Sequence, residues 1–147
     1  MTRVLLEPID QSGNLAVALL LPPFLRDNCA AMASFYKKEG FLLPWIGYVA
    51  VAEGCPVGGG AFKGPPLGGK VEIAYYSVPE REGRGYATAI GRELIQIAKT
   101  ADPMVLITAQ TLPEQNASTS VLKKLGFFLA GTATDPDVGA VWEWHLA

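Results

Sequence analysis

Cysteine, histidine and charge are all scarce in this chain, and each scarcity removes a class of protein. The two cysteines, Cys29 and Cys55, cannot build a multi-bridge framework, and their spacing fits no zinc pattern. His145 is the only histidine, so a histidine-based cage is not expected either and no metal is assigned. Charged residues make up 18% of the sequence, below the roughly 25% usual in soluble domains. Twelve basic and fourteen acidic residues leave a formal charge of −2, without the basic footprint of a nucleic-acid binder. The longest apolar run, residues 15–21, stops at Pro22-Pro23, far short of the ~20 residues of a membrane span. Glu7 and Asp10 stand where a signal peptide would place its apolar region, which makes a reducing, cytoplasmic setting the default expectation.

Apolar residues, by contrast, are plentiful. Half of the 147 residues are hydrophobic, and folding at this size buries roughly 68–70% of the unfolded chain's surface. That composition excludes disorder and predicts a single domain over residues 1–147. Residues 3–9 read as a first strand, ended by Pro8 and the turn-forming Asp10-Gln11-Ser12-Gly13. Residues 14–38 are apolar and alanine-rich but broken at Pro22-Pro23, which predicts two short helices, the second stopped by Gly40. Residues 46–53 and 57–63 make a hairpin about Gly54-Cys55-Pro56.

Residues 71–78, VEIAYYSV, are the clearest strand. Alternation puts Val71, Ile73, Tyr75 and Ser77 on one face and Glu72, Ala74, Tyr76 and Val78 on the other. Beyond a glycine-rich stretch, Ala87, Ile90, Leu94, Ile97 and Ala98 recur at helical spacing until Asp102-Pro103. Residues 104–109 are a short apolar run suited to a buried parallel strand. A further helix over residues 116–125 is stopped by Gly126, and two last strands flank Asp135-Pro136-Asp137. The succession of elements is that of a mixed α/β domain.

Two segments look like phosphate cradles. Gly64-Pro65-Pro66-Leu67-Gly68-Gly69-Lys70 satisfies part of a P-loop pattern, but Val71 stands where Ser or Thr is required. A strand follows it rather than a helix, so it reads as a loop. Glu82-Gly83-Arg84-Gly85-Tyr86-Ala87-Thr88 has the right setting, with a strand before it and an amphipathic helix after it. Gly83 and Gly85 lack Cβ, so the backbone can approach a ligand closely. The free amides of the helix's first turn would converge on one point, aided by the helix dipole and by the forked donor of Arg84. It fails as a dinucleotide fingerprint, because Thr88 occupies the place of the third glycine.

This second segment resembles the signature of the GNAT superfamily, the acyl-CoA-dependent N-acetyltransferases. Of its Gln/Arg-x-x-Gly-x-Gly/Ala pattern, Gly85 and Ala87 match positions four and six, whereas Glu82 stands at position one with Arg81 one residue early. Downstream, residues 115–127 (QNASTSVLKKLGF) are similar to a helix of the Rim-type branch, which acetylates protein N-termini. That register puts Ser118 on the family serine and Gln115 on the usual asparagine, with Asn116 one place late; either amide can meet the cofactor. The resemblance spans about residues 71–127.

The resemblance implies a twisted, mostly antiparallel sheet with flanking helices, a central parallel strand pair, and acetyl-CoA as co-substrate. Its diphosphate would sit on Gly83, Arg84, Gly85, Tyr86, Ala87 and Thr88, with the pantetheine arm beside Tyr76 to Val78 and a contact from Asn116. Glu72 matches the glutamate used as general base in several family members. A carboxylate among apolar neighbours can take up the amine proton. The thioester carbonyl would be polarised by an amide near Val78, at the family's strand bulge. Many members use a tyrosine as general acid where this chain has Leu122. Ser118 either hydrogen-bonds the sulfur or serves as a first-turn helix serine. The implied activity is acetyl transfer to a primary amine, of a protein N-terminus or a small molecule, by direct attack in a ternary complex. A non-catalytic acyl-CoA-binding module is the alternative. The oligomeric state is open and compatible with a homodimer. Trp142 and Trp144 read as packing one sheet face, Trp45, Phe62 and Tyr48 as core or as walls of the acceptor site, and Lys123-Lys124 as a solvated helix face.

Overall fold

The computed structural model describes residues 2–146. Its strands are Leu5–Pro8 (β1), Gly47–Ala52 (β2), Cys55–Phe62 (β3), Lys70–Ser77 (β4), Leu106–Thr111 (β5), Phe128–Asp135 (β6) and Gly139–Leu146 (β7). The helices are Pro23–Glu39 (α1), Tyr86–Ala101 (α2) and Ala117–Leu125 (α3), with a single 3-10 turn at Pro79–Arg81. All seven strands join one sheet in the order β1-β2-β3-β4-β5-β7-β6. Every neighbouring pair is antiparallel except β4 and β5, which run parallel. The expected mixed α/β architecture with one central parallel pair is the observed one.

Short-range chemistry accounts for most of these elements. Glu53 and Gly54 both have positive φ, which lets β2 turn into β3 across a two-residue loop. α2 buries Ala89, Ile90, Gly91, Leu94 and Ala98, largely the stripe that the spacing predicts. It lies on the sheet because β3 carries Gly58-Gly59-Gly60. A Cβ on Gly60 would stand 2.8 Å from Ile90 and 2.9 Å from Leu94, so the bare backbone admits the helix. On the opposite face, Gly59 makes room for the Tyr76 ring, whose hydroxyl would be 2.7 Å from an added Cβ.

α1 covers that second face. Phe24 packs edge-on against Tyr76 at 5.3 Å, and Met32 fills the space above Gly47. Tyr36 ties α1 to the sheet: its hydroxyl donates to the Ile9 carbonyl and accepts from the Gly47 N–H, both at 2.9 Å. Burial raises its phenol pKa above the ordinary value, which keeps it protonated as the donor.

Residues 14–38 depart from expectation. One helix forms instead of two, and it starts only at Pro23; residues 14–22 run without helix, touching the sheet through an Ile9–Leu15 bridge. Eight residues before a double proline are too few to nucleate a helix, and the residue before proline is held extended. The last segment behaves as expected. Trp142 and Trp144 share a face with ring centroids 6.3 Å apart, and His145 pairs with Glu143 at 2.7 Å.

Replacing Tyr36 by Phe would strand the buried Gly47 N–H. Urea unfolding is expected to show a loss of about 1–3 kcal/mol with an unchanged m-value.

Candidate active site

The site begins where β4 and β5 stop pairing. They share only Lys70↔Leu106, Val71↔Ile107 and Glu72↔Thr108, after which β4 continues to Ser77 and β5 to Thr111 apart from each other. On its other side β4 stays in unbroken register with β3, so the expected bulge is not there. The Lys63 N–H bonds the Glu72 carbonyl and the Val78 N–H bonds the Val57 carbonyl, both at 2.9 Å. Antiparallel alternation then directs the amides of Ala74 and Tyr76 to β3 as well. Tyr75 and Ser77 point their amides the other way, into the gap that β5 has left.

That gap is a cleft of about 450 Å3. One wall is Tyr75, Tyr76 and Ser77; another is the start of α2; the third is Ala117, Ser118, Ser120, Val121 and Lys124 of α3. The α2 wall is made of unsatisfied donors. Gly83 and Gly85 adopt left-handed φ of 78° and 82°, Gly85 is the N-cap and brings no side-chain cap, and the first helical bond runs from Ala89 N–H to the Gly85 carbonyl. The amides of residues 83–88 therefore find no acceptor among the described residues. Such a row of free N–H groups at the positive end of a 16-residue helix is an anion seat.

Of the residues singled out from sequence, Tyr76, Gly83, Gly85, Tyr86, Ala87, Thr88 and Ser118 line this cleft together. Arg84 does not; it is exposed, and its carbonyl accepts from the Thr2 hydroxyl at 3.3 Å. Val78 is buried with its amide spent on the Val57 carbonyl, so that amide is not free to polarise a ligand carbonyl. Asn116 is the N-cap of α3: its Oδ1 accepts from the Thr119 N–H while the Thr119 hydroxyl accepts from the Asn116 N–H. Its Nδ2 donates to Glu114, and Gln115 Oε1 accepts from Lys123 Nζ, so both amides that sequence left open have partners within the chain, Asn116 as the cap and Gln115 in a side-chain bond. The cap is supplied by Asn116 and not by Ser118, which lines the cleft.

Glu72 lies away from the cleft, on the α1 face of β4, where Lys63 Nζ pairs with it at 2.8 Å. The apolar surroundings expected for it are thus an ion pair. Leu122 belongs to the core. Ser77 lies within the stretch from Tyr76 to Val78 expected beside the pantetheine arm. One basic cleft residue escaped the sequence reading. Lys124, expected as solvated surface, shares a helix stripe with Ala117, Ser120 and Val121 at spacings of three and four. Burial raises the phenol pKa of both Tyr75 and Tyr76. The Tyr76 hydroxyl is buried without a hydrogen-bond partner among the described residues, the Asn28 amide lying beside it outside bonding geometry. Among the described residues no cluster of His, Cys, Asp or Glu is placed to hold a metal ion, and no helix is long and apolar enough to cross a membrane.

The chain matches the acetyltransferase (GNAT) domain family over residues 22–128 and belongs to that family. No curated protein matches it in sequence. Among solved structures it is similar to RimL, a ribosomal L7/L12 alpha-N-protein acetyltransferase, at 15% identity and TM-score 0.71, covering 99% of this chain and 94% of that one. It is also similar to yncA of Salmonella typhimurium with its cofactor acetyl-CoA (18% identity, TM-score 0.65, 99% and 94% covered). A third is AAC(6')-Ib in complex with ribostamycin and coenzyme A (24% identity, TM-score 0.60, 69% and 63% covered). At these identities the likeness establishes the fold. The chain spans 59–64% of the length of three such structures and 93–98% of others.

If Asn116 serves the helix, Asn116→Ala is expected to lower stability by about 1 kcal/mol in thermal unfolding. A much smaller change would mean that the cap carries no weight.

Proposed function

We propose that the chain is an acetyl-CoA-dependent N-acetyltransferase that acetylates a primary amine, of a protein N-terminus or a small molecule, by direct attack in a ternary complex. The observation that carries this reading is the row of unpaired amides at residues 83–88, opening onto a cleft that β4 and β5 form by diverging. A diphosphate fits such a row, since Gly83 leaves open space where a Cβ would project. Lys124 adds a cation to the same cleft. When bound, acetyl-CoA supplies its acyl group as a thioester.

The chain's own residues divide the remaining work. The outward N–H groups of Tyr75 and Ser77 are the donors available to the pantetheine amides and to the carbonyl oxygen. Glu72, as general base, takes the proton of the amine directly or through one water; its side chain is 24% exposed, so water reaches it. The Ser118 hydroxyl is a donor for the sulfur. A thiol of pKa near ~8.5, the cysteine value, needs no strong acid to leave. Neither cysteine is suited to carry the acyl group: Cys29 is buried, which raises its pKa, and Cys55 sits at the β2–β3 turn. That favours direct attack. The Rim-like α3 motif supports a protein N-terminus as acceptor.

Two variants separate binding from chemistry. Glu72→Gln is expected to cut thiol release from acetyl-CoA by about 10²–10⁴-fold while calorimetric affinity for coenzyme A holds. Gly85→Val forces a β-branched residue into the left-handed region and is expected to weaken coenzyme A binding at least about tenfold. Full turnover in the first variant would remove Glu72 from the mechanism. Coenzyme uptake without thiol release by any amine would leave a binding module.

A further inference from the structure

A second cavity, of about 360 Å3, lies on the α1 side of the sheet, the face opposite α2. Met32 and Phe35 of α1 form its apolar roof, and the cross-strand pair Ala61 and Ala74 makes its floor by having small side chains. Tyr76 is common to this cavity and to the cofactor cleft, so a single side chain stands between the two. Glu72 and Ala74 lie on the same face of β4 as Tyr76, which puts the proposed base on the cavity's side of the strand.

The chemistry of the lining is selective. Lys63 is its only charged residue, and Glu72 neutralises it at 2.8 Å. Asn28 and the Tyr76 hydroxyl are the polar groups apart from that pair, and the hydroxyl has no partner among the described residues. A charged group entering here would lose water and find no free counter-charge. The volume is near the lower end of the roughly 300–1,000 Å3 range of ligand pockets, enough for one side chain.

We infer that this cavity receives the group next to the acceptor amine, and that the group is neutral and apolar, of leucine to phenylalanine size. The Tyr76 hydroxyl, left protonated by burial, donates to the carbonyl that follows, as an N-terminal residue or an amino-acid amide would present it. This rests on the acetyltransferase reading above and narrows its acceptor from any primary amine to an apolar α-amine.

The test is thiol release from acetyl-CoA with a panel of amino-acid amides, together with calorimetry of phenylalaninamide on the coenzyme A-loaded protein. Leucinamide and phenylalaninamide are expected to exceed glycinamide in kcat/KM by about 10–100-fold. Lysinamide and the α-amide of glutamate should fall to the glycinamide level or below. Ala74→Phe, at an exposed position that fills the cavity floor, should reduce the advantage of leucinamide to less than about threefold, with coenzyme A affinity retained. Tyr76→Phe should raise KM for leucinamide about tenfold and leave kcat within about twofold. A flat profile, a preference for charged amides, or an Ala74→Phe protein that still prefers leucinamide would overturn the inference while the acetyltransferase reading stood. Absence of release with every amide would tell against that reading instead; the heat of phenylalaninamide binding would then decide, its absence overturning the cavity's role and its loss in Ala74→Phe upholding it.

Discussion

The site depends on a failure of pairing. β4 is held to β3 from Ile73 to Ser77 but to β5 only over three residue pairs at its start, so its far half has one satisfied edge and one open edge. Backbone donors seldom go unmatched inside a protein. Here Tyr75 and Ser77 offer theirs to a cleft, beside a helix start whose own amides are unclaimed. The sheet tolerates the opening because β7 inserts between β5 and β6 and pairs with β5 across five residues, anchoring the strand that has turned away. Donors from a strand edge and donors from a helix end then face one volume, which suits a long ligand with amides along its body and a diphosphate at its end.

Glycine is what lets these surfaces meet. At Gly85 it permits the left-handed cap that frees the next amides, and over residues 58–60 it removes the side chains that would hold α2 and Tyr76 off the sheet. Tyr76 in consequence packs over Gly59 and borders both the cleft and the apolar cavity under α1. Glu72 and Tyr76 thereby share one face of β4, and the Tyr75 ring, near Gly91 of α2, lies on the other.

Wherever a local rule acts alone, the fold was legible from sequence. The alternation of VEIAYYSV, the spacing of Ile90 and Leu94, and the glycine pair before an amphipathic helix each announce their structure without knowledge of the rest. What escaped needed partners distant in the chain. Residues 14–22 look helical by composition, but two prolines and a bridge to Ile9 decide otherwise. Asn116 matched a cofactor ligand by motif, yet the orphan amides of α3 had the nearer claim on it. The ion pair of Glu72 with Lys63 follows from the β3–β4 register, which no spacing reveals.

The most direct measurement is a titration of the 15N-labelled protein with coenzyme A, following each backbone amide by NMR. The account predicts that the largest shifts fall on residues 83–88 together with Tyr75 and Ser77, while the Val78 amide, bonded to Val57, moves little. Saturable binding that left residues 83–88 unshifted, or no binding at all, would contradict it.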